Sequence, residues 1–222
     1  MDWLAFQVSF KLATFTSLCL LPIGLLIARW LKHSRFRGRH FVEALTALPL
    51  VLPPTVLGYF LLTLMDTQHP LGGFIAQTTG QHLAFSFNGL LVASVISSLP
   101  FAVQPLLRAM EHIPNNISEA AWCCGLSPWQ TFIRIEVPLI WPSMLTAWIL
   151  SFCHTLGEFG VVLMIGGNIA GETRTLSIAI YDSVLAFERD KALYMSLVLL
   201  TISLITVTFV YSLNRRNHRM FH

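Results

Sequence analysis

The stretch NISEAAWCCGLSPWQTFIRIEVPL, running from Asn116 to Leu139, decides how this chain is built. It is too polar and too interrupted to cross a membrane, yet it is dense in helix punctuation. Asn116 stands three residues before Glu119, the spacing of a capping box, and predicts a short helix over Ile117–Cys124. Gly125 takes left-handed backbone at little cost, which ends such a helix. Ser127 predicts a second cap, with Pro128 at the first helical position and Gln130 at the reciprocal box position. Pro138 marks the entry to the next apolar run. The predicted unit is helix, sharp turn, helix.

Apolar runs lie on both sides of it. A spanning helix needs about 20 apolar residues to cross roughly 30 Å of hydrocarbon. Five segments qualify: Leu12 to Leu31, Ala44 to Met65, Phe87 to Leu107, the stretch between Glu136 and Ile165, and Ala192 to Asn214. The fourth carries one acid, Glu158. Of 222 residues, 55% are hydrophobic and 11% charged, and the mean hydropathy is +0.65. Soluble domains carry about 25% charged residues, so lipid is the solvent this composition fits. Residues 1–222 read as a single all-α membrane domain with about five spans. The first apolar run has no small-residue cleavage site after it and reads as a retained helix.

Charge sets the expected orientation. Arg29, Lys32, Arg35, Arg37, Arg39, Arg108, Arg134, Arg215, Arg216 and Arg219 fall on one side of a five-span layout, ten of the fourteen basic residues. The positive-inside rule puts that side in the cytoplasm, with the N-terminus outside and the C-terminus inside. No basic run is interleaved with base-stacking aromatics, which argues against nucleic acid. Cys19, Cys123, Cys124 and Cys153 lack C-x-x-C spacing, so they are expected to be reduced packing residues rather than zinc ligands or a disulfide framework.

Two features invite function. Pro49, Pro53 and Pro54 in the second run each remove a backbone donor, so that helix is expected to kink. It should face protein or a cavity there, as a static kink or as a pore lining. The loop of 116–139 suits a groove in a partner protein, from which it would pass on a rigid-body push. Geometry leaves open that it lies on lipid headgroups instead.

Here a resemblance becomes specific. Glu119-Ala120-Ala121, three residues, Gly125, nine residues, then Ile135-Glu136-Val137-Pro138 resembles the E-A-A…G…I-x-L-P motif of ABC-importer permeases, with Val137 for leucine as the single departure. The resemblance implies a type I importer (MetI-like) transmembrane domain, and a coupling-helix loop over about 108–138. That loop docks an ATP-binding subunit through Glu119, Ala120, Ala121, Gly125 and Pro138. It also implies a bacterial inner-membrane complex holding two copies of this chain, two ATP-binding subunits that carry ATP and magnesium, and an extracytoplasmic oxyanion-binding protein. The chain itself binds no cofactor on this reading.

A second block narrows the substrate. Gly157-Glu158-Phe159-Gly160, Gly166-Gly167-Asn168, Gly171-Glu172-Thr173-Arg174-Thr175-Leu176 and Leu48–Tyr59 are similar to molybdate permeases over nearly the whole chain. Sulfate permeases share a weaker version, and tungstate is nearly the same tetrahedral dianion. The resemblance makes Pro49, Pro53, Pro54, Gly157, Glu158 and Gly160 candidates for translocation or gating. Asn168, Thr173, Arg174 and Thr175 are candidates for docking the binding protein, on an outer loop over Thr173–Asp190. Glu158 would repel a dianion if it faced the path, so a structural or gating contact is expected of it.

Other classes fit poorly. His154 and Glu158 share a helix face, but H-E-x-x-H is absent, and His154 is expected to be a hydrogen-bonded interior residue. No G-x-x-x-x-G-K-[ST] phosphate loop is present, so ATP hydrolysis is expected in another subunit. A passive channel has no use for a docking loop.

Overall fold

The structure is a computed structural model and describes residues 2–34 and 36–218. Among these, every regular element is a helix. In chain order they are α1 (Trp3–His33), α2 (Arg39–Val51), α3 (Pro54–Met65), α4 (Pro70–Thr79), α5 (Phe87–Glu111), α6 (Asn115–Cys123), α7 (Pro128–Thr131), a π-helical turn (Phe132–Glu136), α8 (Val137–Leu139), α9 (Trp141–Gly157), α10 (Gly160–Gly166), α11 (Leu176–Leu185) and α12 (Arg189–His218).

α1, α5 and α9 pack on one another and form the centre. Small residues line the seam, because in lipid helices associate by close packing rather than by the hydrophobic effect. α5 buries Gly89, Ala93, Ser94, Ser97, Ser98 and Ala102, and α1 buries Ala13, Thr16, Ser17, Gly24 and Ala28. A side chain at Gly24 would press on Leu106 at 3.1 Å and Ala102 at 3.2 Å. Asp2 caps α1 by accepting from the Ala5 N–H (3.0 Å), and Ser86 caps α5 by accepting from Gly89 (3.2 Å).

Three helices are long and apolar enough to span, α1, α5 and the Arg189–Phe209 part of α12. Counting each bent pair as one span gives up to five. The second span, expected to kink at its prolines, is broken there into α2 and α3, which meet at 112°. The tandem prolines explain this. A residue before proline is pushed out of the α region, and both Leu52 (ψ 136°) and Pro53 (ψ 134°) precede one. Pro49 alone is tolerated inside α2. The fourth run is also divided: α9 meets the preceding arm at 74° and stops at Glu158, after which α10 begins.

α3 and α10 cross at glycines. A Cβ on Gly58 would stand 2.8 Å from the Met164 Cβ, and one on Gly160 would stand 2.7 Å from the Pro54 Cβ. Overpacking costs about 1–3 kcal/mol, and about 2–4 °C accompanies each kcal/mol in a chain of this size. Gly58→Val is therefore expected to melt several degrees lower in detergent. Gly157→Ala, with no heavy atom within 4 Å of the added carbon, should melt with the wild type. Equal melting of both variants would contradict the tight crossing.

The expected outer loop over 173–190 is corrected. Most of it is α11, which buries Leu176, Ile178 and Ala179 against α1 and α12. The Leu176 N–H donates to the Ser9 hydroxyl at 2.7 Å. Arg35 and Arg219, two of the basic residues that set the expected orientation, lie outside the described residues.

Candidate functional site

The loop between α5 and α9 folds as two short helices about a tight turn. α6 begins at Asn115 with Pro114 in the cap position, which corrects the expected Asn116 cap. The extended backbone of Pro114 (ψ 140°) starts the helix at Asn115 instead of Ile117. Gly125 has φ +83°, the left-handed region. Its N–H donates to the Trp122 carbonyl, and that of Leu126 donates to the Ala121 carbonyl. These two bonds form a Schellman end. Ser127 and Gln130 then make the full reciprocal capping box, with Pro128 at the first helical position.

Beyond it the backbone widens into the π turn. Pro138 lacks the N–H that would continue the α pattern, and its ring crowds the carbonyl four residues back. Pro138 is exposed, two residues before the bend at Ile140.

Glu119, Ala120 and Gly125 are exposed, while Ala121 is buried against the body. Trp122 and Trp129 are exposed as well. Cys123 and Cys124 are free thiols on the same exposed stretch, so the expectation that they pack inside is corrected. The helix ends at Gly125 before it turns inward, which leaves its last turn uncovered.

The loop is tied to α1 through a residue the sequence reading passed over. Glu136 is 1% exposed and lies among Arg29, Lys32 and His33 of α1 and Ser118 of α6. Arg29 also donates to the Pro128 carbonyl at 2.7 Å and lies over the Phe132 ring at 4.3 Å. Nearby, Arg39 pairs with Glu111 at 2.6 Å and Arg108 with Glu111 at 3.0 Å, pinning α2 to α5. One end of the bundle is thus basic and crosslinked.

A second constellation surrounds the two span breaks. An open pocket of about 650 Å³ is lined by Pro54, Thr55, His154, Gly157, Glu158 and Gly160, with further apolar neighbours. Four of the six residues singled out for translocation meet there; Pro49 and Pro53 do not line it. Glu158 is buried. Its Oε1 accepts from the Val161 N–H at 3.4 Å, and its Oε2 lies 3.5 Å from His154 Nε2. The carboxylate therefore caps α10, where the helix dipole favours negative charge. His154 stacks on Phe101, and its Nδ1 is 2.9 Å from the Ser98 hydroxyl, which is 2.9 Å from that of Thr155. The imidazole thus bridges Ser98 on one side and Glu158 on the other.

At the end opposite the basic one, the turn after α10 is compact. Thr173 is fully buried, donates to the Gly166 carbonyl (2.6 Å) and accepts from the Ile169 N–H (3.1 Å). Thr175 is buried as well. Of these two docking candidates, Thr173 thus holds the turn together. Arg174 lies 3.5 Å from Asp2 and 3.2 Å from Asp182. Asn168 donates to Asp182 at 2.7 Å and is exposed. The exposed surface is residues 168–172. Among the described residues, no group of three or more His, Cys, Asp or Glu could hold a metal ion.

This architecture and sequence have relatives. The family described as "Binding-protein-dependent transport system inner membrane component" matches residues 21–219. The "Molybdenum transport system permease protein ModB" of Azotobacter vinelandii is 44% identical over 96% of this chain and 95% of its own length. The protein of that name from Escherichia coli K12 is 34% identical over 82% and 80%. A "Probable sulfate transport system permease protein cysT" from Chlorella vulgaris is 31% identical over 93% and 77%. Among solved structures, a bacterial ABC transporter for import of the acidic polysaccharide alginate superposes with TM-score 0.77 at 20% identity, covering 96% of this chain and 78% of that one. The MetNI methionine ABC transporter gives 0.68 at 16%, covering 97% and 93%. At those identities the likeness is one of fold.

Proposed function

The chain belongs to the family of binding-protein-dependent transport system inner membrane components, and from that membership we propose that it is the permease subunit of an ABC importer for molybdate. The observation that carries the substrate is the 44% identity, end to end, with a molybdenum permease. The sulfate relatives are less similar over comparable stretches. The exposed α6 turn supports the coupled mechanism, because a passive pore gains nothing from such a loop.

On this reading the chain has no ATPase site. An ATP-binding subunit, which holds ATP and magnesium, docks on Glu119, Ala120, Gly125 and the exposed face around them. Pro138 stiffens the arm behind this surface. The basic end lies in the cytoplasm, so the N-terminus is outside and the C-terminus inside. The binding protein meets residues 168–172 at the outer end. A second copy of the chain closes the open side of the pocket, on a two-fold axis of the commonest oligomer type.

The pocket wall is mostly apolar, and its one carboxylate is engaged with a helix end and an imidazole. A path with few fixed charges releases an anion readily, since deep binding sites slow exit. Selection then belongs to the binding protein. Nucleotide-driven closure of the ATP-binding subunits would draw the α6 loops together and open the path outward.

The test is uptake of labelled molybdate at trace concentration, by cells lacking their own molybdate importer. They would express this chain with its ATP-binding subunit and binding protein. Uptake that excess sulfate does not compete away is the expected result. Sulfate uptake in its place would overturn the substrate and keep the importer.

A further inference from the structure

Glu136 is the most completely buried carboxylate among the described residues, and nothing in the transport path requires it. Two separate elements, α1 and α6, converge on it. Its Oε1 accepts from the Ser118 hydroxyl of α6 at 3.1 Å and lies 3.5 Å from Lys32 Nζ. His33 Nε2 is 3.9 Å away. Its Oε2 lies 3.6 Å from Arg29 Nη1. Arg29 in turn holds the second helix of the loop through the Pro128 carbonyl and the Phe132 ring. A buried carboxylate between two cations is a stiff joint, because each partner is desolvated and stranding any one is costly.

The joint has a direction. α6 presents its exposed face outward, while Ser118 and Ala121 face the body. α1, at the other side of the joint, packs along both α5 and α9. A push on α6 therefore meets α1 directly through Ser118, Glu136, Lys32 and Arg29, beside the short link between α5 and α6. We propose that Glu136 is a positioning residue that fastens the coupling loop to α1 and passes the motion of the ATP-binding subunit into the bundle. This rests on the importer reading above.

The test uses the complete transporter in proteoliposomes with loaded binding protein, and reads anion accumulated per ATP hydrolysed. Two variants probe the joint. Ser118→Ala cuts the α6 link and leaves every charge paired. Glu136→Gln keeps an acceptor and removes the charge. The expected result is at least a fivefold fall in anion per ATP in each, with the ATP-binding subunit still bound. The double variant should be no worse than the weaker single one, since both cut one link. A ratio equal to wild type in Ser118→Ala overturns the proposal, even if Glu136→Gln assembles poorly. The wild-type complex, run alongside, tests the importer reading by itself: ATP-driven uptake there is a separate outcome from the variant-to-wild-type ratio.

Discussion

Gly125→Val is expected to lower ATP-driven uptake by about five- to thirty-fold, with the amount of inserted protein unchanged. The glycine sits at φ +83° with no heavy atom within 4 Å of an added carbon, so the effect is one of backbone and not of space. Left-handed backbone costs an L residue about 1–2 kcal/mol, and a β-branched one is a genuine outlier there. A change of that size shifts a two-state population by a factor of about 5–30. What shifts is the turn that places α6 against α7. The turn lies outside the spans, so insertion is spared. Glu119→Lys should also uncouple transport without loss of protein, because an exposed charge is reversed on the face we propose for docking. Uptake and ATPase co-purification at wild-type levels in both variants would sink the docking assignment.

Glu158→Ala is expected to cut uptake about tenfold, and Glu158→Gln to keep most of it. Losing a cap costs about 0.5–2 kcal/mol, and a tenfold change corresponds to about 1.4 kcal/mol. Glutamine retains an acceptor for the Val161 N–H and a partner for His154; alanine retains neither. The comparison therefore separates geometry from charge. Equal damage by both variants, with an altered dependence on molybdate concentration, would mean that the carboxylate's charge acts on the anion itself.

Local signals were legible in the sequence and long-range ones were not. The capping box at Ser127 and Gln130 and the glycine turn at Gly125 involve neighbours within three or four residues, and both formed as read. The Asn116 cap failed because Pro114, earlier in the chain, offers a competing extended start. Run lengths located the spans. Whether Pro53-Pro54 kinks a helix or breaks it depends on where the second half docks, and that is set by α10 through Gly58 and Gly160, about a hundred residues on. α11 hid behind polar ends, although Leu176, Ile178 and Ala179 gave it an apolar face.

The site was legible to the same degree. Pro54, Gly157, Glu158 and Gly160 come together at the pocket, but their meeting could be expected only from the resemblance. Thr173 and Thr175 entered as docking candidates by their place in a polar outer stretch, whereas both are buried and Thr173 satisfies a carbonyl and an amide of the turn. The partners of Glu136 on α1 stand about a hundred residues away, beyond any local pattern.

The most direct measurement is the reactivity of Cys123 and Cys124, which lie on the exposed end of α6. Cys19 and Cys153 would be replaced by serine, leaving that pair as the only thiols. A membrane-impermeant maleimide would then be applied to inside-out vesicles, before and after the ATP-binding subunit is stripped away. The account predicts protection in the complex and rapid labelling once the subunit is gone. Equal labelling in both states, or labelling only from the opposite side of the membrane, would contradict it.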